Sequence, residues 1–232
     1  MHIPDGVLDP GTLVVAGAMS TGALVWSARE LRRGHQRWGV ALGGAGAVLV
    51  FHLADVPFYG PYTAHVIGGT LLAIALGPWL AMLTMAAVLA LEALAWGDGG
   101  IAALGVNVLV MGVVGVLAGY SAYRGVLALA ARRRPPDAAA GWRAIVAAAV
   151  GAWVSVMASA LTLVAVSAAG GASGIVLSQV LPHHAAWGVL EAVATGTALA
   201  IGLAWGRHGA RRRGRVRGPV AAASKDAPAM AP

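Results

Sequence analysis

The chain begins Met1-His2, and an N-terminal X-His dipeptide is a ready-made chelator. The free α-amine, the His2 backbone nitrogen once deprotonated, and His2 Nδ1 close one five-membered and one six-membered ring that lie naturally in a single plane. One further imidazole would complete a square of four nitrogens. That tetragonal geometry suits Cu(II) or Ni(II) and is foreign to Zn(II) or Mg(II). The chemistry requires Met1 to carry a free amine. The chain contains no cysteine, so thiolate ligation and disulfides are excluded and a transition-metal site here must use nitrogen and oxygen.

Seven histidines are available to supply the fourth donor, and their placement depends on the elements that carry them. Composition defines those elements. The 232 residues are 59% hydrophobic and 11% charged, a balance that leaves too little polar surface to cover a water-soluble domain. The fold class expected is therefore all-α, a polytopic protein of the cell membrane with the lipid bilayer as its solvent and no nucleic-acid partner. Most of the eight tryptophans, among them Trp26, Trp79, Trp96, Trp142, Trp187 and Trp205, fall near the ends of apolar runs, where interfacial anchors belong. The first ten residues carry two prolines and two aspartates and no positive charge, so no cleavable leader is expected.

Seven apolar runs follow in order: 12–28, 39–54, 65–76, 78–96, 101–130, 142–169 and 182–205. The third is short and reads as a half-buried or tilted helix with His65 in its first turn. Gly77-Pro78 ends it, because proline cannot extend that helix but starts the next one well. The spacings Gly43 with Ala47, Gly112 with Val116 and Gly115 with Gly119 predict close helix packing. Residues 1–206 form one integral membrane domain, and 207–232, basic and then Ala/Pro-rich, are expected to be a disordered tail.

All sixteen Lys and Arg lie within 29–37, 124–143 and 207–225. Seven alternating spans place these three clusters on one face, and the positive-inside rule makes that face the cytoplasm, with the N-terminus outside and the C-terminus inside. Fusing the third and fourth runs into one span would divide the clusters between the two faces. Five histidines, His2, His52, His65, His183 and His184, then fall on or beside the outer face, together with Asp5, Asp9, Asp55 and Asp98. His52 and His183 are read first as ordinary interfacial polar residues. Asp5 and Asp55 are assigned to orienting His2 or drawing cations to the site. Two acids lie inside spans: Glu92, about one turn from Trp96 and read as reaching the interface, and Glu191, one heptad after His184, balanced between function and helix-helix hydrogen bonding. No Walker-type loop is present, so no nucleotide is expected to bind this chain.

Several segments resemble the CbiM/NikM family, the substrate-binding S components of energy-coupling-factor transporters for cobalt and nickel. They are Met1-His2-Ile3-Pro4-Asp5-Gly6, His65-Val-Ile-Gly68-Gly69 with Leu76-Gly77-Pro78-Trp79, Gly97-Asp98-Gly99-Gly100 through Asn107, and His184-Ala-Ala-Trp-Gly188-Val-Leu-Glu191. The resemblance implies a seven-helix membrane fold with the N-terminus tucked into the bundle. It also implies a metal held by Met1, His2 and the HxxGG histidine, His65, with Asp5, Asp55, Asn107, His184 and Glu191 as candidates for the surrounding hydrogen bonds. Two departures fall in those surroundings: the approach to His65 is Asp55-Val-Pro-Phe-Tyr-Gly-Pro-Tyr-Thr-Ala, and Val110 stands where a second asparagine is frequent.

The function so implied is capture of Ni(II) or Co(II) as transported substrate. The planar nitrogen set and the lack of a leader favour Ni(II). The implied partners are a transmembrane coupling protein (T component), ABC-type ATPases (A component) and a small accessory membrane protein, all expected as separate chains because this one ends too soon to carry a fusion. Two other readings fit the composition: an intramembrane metalloenzyme, against which stands the absence of HExxH, and an S component for an organic vitamin, which leaves Met1-His2 unexplained.

Overall fold

Asp9 and Pro10 fix where the first helix starts. The Asp9 carboxylate accepts from the Thr12 amide at 3.0 Å and from the Thr12 hydroxyl at 2.6 Å, and Pro10 occupies the first helical position, where its missing N–H costs nothing. Asp9, counted in the sequence among the acids around the histidines, is thus a helix cap. The computed structural model describes residues 1–32, 36–53, 56–59, 62–133, 141–172 and 177–217. Asp55 and the end of the tail, 218–232, lie outside the described residues.

The elements are α1 (Pro10–Leu31), α2 (Trp38–His52), a two-stranded antiparallel hairpin of β1 (Val56–Tyr59) and β2 (Tyr62–Ala64), α3 (Gly69–Leu76), α4 (Pro78–Ala95), a rod made of α5 (Leu104–Asn107), a π-helical segment (Val108–Gly115) and α6 (Val116–Arg133), then α7 (Gly141–Ala169) and α8 (Leu177–Arg217). Counting the rod once gives seven helices among the described residues. Five are long and apolar enough to cross a bilayer, whereas α2 has 15 residues and α3 only 8.

The short α3 corrects the expectation for the third run. His65 is not in a helical turn: residues 65–68 are non-helical, and the helix begins at Gly69. Four non-helical residues and eight helical ones can reach at most about 25 Å, comparable to the roughly 22 Å of α2. The return is visible in the contacts, since Arg37 Nη1 at the start of α2 donates to Ala75 O near the end of α3 at 3.2 Å. Gly77 then serves as the C-cap of α3 and the N-cap of α4, with Pro78 opening the next helix as the sequence predicts. A second correction concerns α8, which starts before Pro182, carries that proline inside it, and continues through the basic stretch to Arg217.

The bundle is organised around α4 and the rod, which contribute Leu80, Met82, Met85, Leu89, Val106, Val110 and Met111 to the core. Gly115 and Gly119 lie directly against Ser159 and Ser155 of α7, as their spacing predicts, while Gly43 faces open space. The hydroxyls of Ser155 and Ser159 donate to Gly115 O at 2.7 Å and Val110 O at 3.0 Å, so α7 satisfies carbonyls of the π-helical segment. Outer faces of α1, α2 and α8 present Val14, Val15, Met19, Leu42, Val50, Leu190 and Val193. Apolar surface on that scale belongs against lipid, and the chain is a multi-pass membrane protein.

Candidate metal centre

The N-terminal segment is held inside the bundle by its own backbone. Met1, His2 and Ile3 are 2%, 3% and 0% exposed. Asn107, at the junction of α5 and the π-helical segment, grips Ile3 at both ends: its Oδ1 accepts from the Ile3 amide at 2.8 Å and its Nδ2 donates to the Ile3 carbonyl at 3.0 Å. Two residues on, Asp5 Oδ1 accepts from the Ala103 amide at 2.9 Å. Gly99 makes room for this path. Its φ of +65° is unfavourable for any side chain, and a Cβ there would stand 2.7 Å from Asn107 Nδ2 and 3.0 Å from His2 Cβ.

Three histidines converge at the inner end of that segment. Ring centroids of His2 and His65 are 4.8 Å apart, those of His52 and His65 3.9 Å, and those of His2 and His52 5.9 Å. One ring nitrogen from each lies within 4.8 Å of the others, and this is the group among the described residues that can share a metal ion. All three are 2–3% exposed.

Their hydrogen bonds distinguish their roles. His65 Nδ1 donates to the Val66 carbonyl at 3.1 Å, which fixes the tautomer and leaves Nε2 buried, without a hydrogen-bond partner and with its lone pair free. His52, at the end of α2, has its Nδ1 2.8 Å from Glu92 Oε1 and its Nε2 3.2 Å from the Ile67 carbonyl. An oxygen thus stands beside each His52 nitrogen; a neutral imidazole still carries one lone pair, so His52 stays in the group that can share the ion, but only by giving up one of these contacts. His2 Nδ1 lies 2.7 Å from Asp98 Oδ1, and its Nε2 lies 3.7 Å from Glu92 Oε2.

Burial pushes the His2 imidazole below its ordinary range, and the neighbouring positive N-terminus adds to the effect against the opposing pull of Asp98. A neutral imidazole is the form a cation requires, because a protonated nitrogen cannot ligate. At Asp98 burial acts to raise the carboxyl, but the contact with His2 and the positive N-terminus outweigh it and hold Asp98 below its usual range. Buried nitrogen donors flanked by two carboxylates, in a chain without thiols, suit a borderline divalent transition metal.

The structure therefore brings Met1, His2, His65, Asn107 and Asp5 together at one end of the bundle. Glu191 reaches the same loop from α8, accepting from the Ile67 amide at 2.6 Å and the Gly68 amide at 2.7 Å. His184 is fully buried, with Nδ1 2.8 Å from the Val180 carbonyl, and is not in the three-histidine group. His183, one residue earlier, is exposed, as adjacent helical positions require.

Sequence reasoning passed over His52, Glu92 and Asp98. Glu92 is 3% exposed and bonds His52 instead of reaching the interface. The signal was present, since an intramembrane acid and a histidine at the same predicted depth make a pair by default, but only the packing of α2 on α4 joins them.

Residues 2–204 match the family model CbiM, described as the cobalt uptake substrate-specific transmembrane region. The "Probable fused nickel transport protein LarMN" of Lactiplantibacillus plantarum is 43% identical over 131 residues, covering 53% of this chain and 39% of that protein. The "Cobalt transport protein CbiM" of Sorangium cellulosum is 30% identical over 211 residues, covering 87% and 90%. Against LarMN and two further relatives the chain spans about half of their length. A solved structure described as a transition metal transporter superposes with a TM-score of 0.80 at 28% identity, over 94% of this chain and all of that one. These matches exclude the enzyme reading, and the chain belongs to the CbiM family of transition-metal uptake membrane components, a family of transport proteins.

Proposed function

We propose that this chain is the subunit that captures Ni(II) or Co(II) for a multi-component importer, binding the metal through the Met1 amine, the His2 amide nitrogen, His2 Nδ1 and His65 Nε2. One observation carries the reading: a buried N-terminal Met-His segment ends beside a histidine whose Nε2 lone pair is otherwise unused. Family membership and the names of the relatives support transport of these metals. The planar nitrogen set favours Ni(II) over Co(II).

His2 Nδ1 lies 2.7 Å from Asp98 Oδ1, so a metal bound at Nδ1 would take the place of that contact. Asp98 is 30% exposed while His2 is 3% exposed, which makes Asp98 the natural first contact for an incoming cation and the acceptor that holds His2 in place until then. Glu92 places a second carboxyl group behind the histidines, and Asn107 fixes the distance from Ile3 back to the chelate.

Pairing of α1 with α7 through the Asp9 amide and Gly170 carbonyl at 3.0 Å, and of α2 with α3 through Arg37 and Ala75, fits seven alternating crossings. With the basic clusters inside, the metal centre opens to the outside and α8 projects its Arg-rich end into the cytoplasm. Residues 1–206 then form the membrane domain. A transmembrane coupling protein and ATPases are the partners this role requires, with a small accessory membrane protein as a further one.

The test is the electronic state of the nickel-loaded protein. Four in-plane nitrogens, one of them an anionic amide, give low-spin, diamagnetic, yellow-to-orange Ni(II). One residue added before Met1, or a retained formyl group, should abolish tight binding while insertion and folding persist, because the amine is one of the four donors. A pale-green paramagnetic Ni(II) centre in the unextended protein, or unchanged affinity in the extended one, would reject the chelate.

A further inference from the structure

We propose that Glu191 is the positioning residue that aims His65 at the metal, and that through it α8 controls whether the fourth nitrogen is in place. The inference rests on the capture reading above and extends it to how the site is held and released.

His65 has little of its own to orient it. Among the described residues its only hydrogen bond is to the neighbouring Val66 carbonyl, so the ring goes where the 65–68 loop goes. That loop is not helical, and its amides at Ile67 and Gly68 sit just ahead of α3, where helix geometry provides them with no acceptor. Glu191 supplies both at once, Oε2 from Ile67 at 2.6 Å and Oε1 from Gly68 at 2.7 Å, and is itself 1% exposed. From the other side His52 Nε2 meets the Ile67 carbonyl at 3.2 Å. Behind the loop stands α2: Gly68 has φ +74°, and a Cβ there would come within 2.7 Å of Val48 Cγ2. The loop is thus clamped between a carboxylate from α8 and the wall of α2, and no other side chain in the described residues bonds those two amides.

The location of the clamp gives it a second consequence. α8 packs mainly on α7 and touches α3 only lightly, so Glu191 is the polar tie between the long helix that carries the basic extension to Arg217 and the loop that carries His65. A displacement of α8 by the length of one hydrogen bond withdraws both acceptors together. A partner acting on the far end of α8 can then loosen the metal's fourth donor without touching a ligand.

The experiment compares Glu191→Gln, His65→Ala and the double variant in the full chain, loaded with Ni(II) alone. In Glu191→Gln an NH2 faces one of the two amide donors, so the loop relaxes while the Met1-His2 chelate remains. Affinity is expected to fall about 10–100-fold, and the visible absorption should move to lower energy as water replaces an imidazole. Adding Glu191→Gln to His65→Ala should cost no more than about twofold further, since Glu191 acts through His65. A wild-type spectrum and affinity in Glu191→Gln, or a double variant that loses the full Glu191→Gln increment again, overturns the inference. If Glu191→Gln is not recovered folded, Glu191→Asp carries the same test: it reaches one amide only and should lie between wild type and His65→Ala, and wild-type behaviour there overturns the inference equally. A wild-type chain that binds no nickel or cobalt would overturn the capture reading itself, whereas wild-type binding with an indifferent Glu191 refutes only the clamp.

Discussion

Replacing Asn107 by Ala should detach the N-terminal segment and with it the chelate. The Asn107 amide makes two hydrogen bonds to Ile3, at 2.8 and 3.0 Å, and both partners are main-chain groups of a residue that is 0% exposed. Truncation leaves a buried N–H and a buried C=O unpaired, each costing about 1–3 kcal/mol. The Ile3 groups can recover part of that by swinging toward water, but only by withdrawing Met1 and His2 from the bundle. A net penalty of about 2–4 kcal/mol on the docked state is the consequence. At about 1.4 kcal/mol per decade, nickel affinity should fall between about 30-fold and several hundred-fold, because binding must now repay the docking. Asn107→Asp should be about as damaging: it keeps an acceptor for the Ile3 amide but sets a second oxygen against the Ile3 carbonyl. Titration calorimetry on the detergent-solubilised protein measures the affinity, and hydrogen exchange across residues 2–8 reports whether the segment has left its seat. An Asn107→Ala protein that binds nickel within about threefold of wild type, with residues 2–8 still protected, would refute the argument that these two bonds hold the chelate in place.

The histidines should separate by the lone pairs they offer. His65→Ala removes a donor nitrogen and should nearly abolish tight binding, His52→Ala should weaken it about 10–100-fold by freeing Glu92 and the Ile67 carbonyl, and exposed His183→Ala should change it little; equal loss in His52→Ala and His65→Ala would make His52 a ligand. Acidification should destabilise the metal-free protein through His2. Its native imidazole titrates below the ordinary value near 6.5, so as pH falls through about 6.5 the unfolded chain takes up a proton that the native state refuses, and stability is lost down to the depressed native value. Thermal unfolding of the metal-free protein at pH 7.5, 6.5 and 5.5 measures this, and a midpoint that is flat or rises toward pH 5.5 refutes it; His2→Ala should flatten part of the slope.

Much of this protein was decided by its sequence because the determinants are local or compositional. The excess of apolar residues requires a membrane, Asp9-Pro10 starts α1 and Gly77-Pro78 separates α3 from α4 through properties of the residues themselves. Met1-His2 is a chelator by covalent structure, and the HxxGG segment at His65 was recognisable as a motif. The rest depended on contacts between residues far apart in the chain. Hydropathy could not show that the third run begins with four non-helical residues, because a loop buried in a bundle is as apolar as a helix; it is tolerated at that depth only because Glu191, more than a hundred residues later, satisfies its amides. Nor could the sequence choose between His52 as an interfacial residue and His52 as part of the centre. That depended on α2 lying against α4, so that Glu92 takes one imidazole nitrogen while the Ile67 carbonyl takes the other. Residue type limits what a side chain can do, but which of its atoms remain free to bind a metal is settled only when folding has assigned every other hydrogen bond around it.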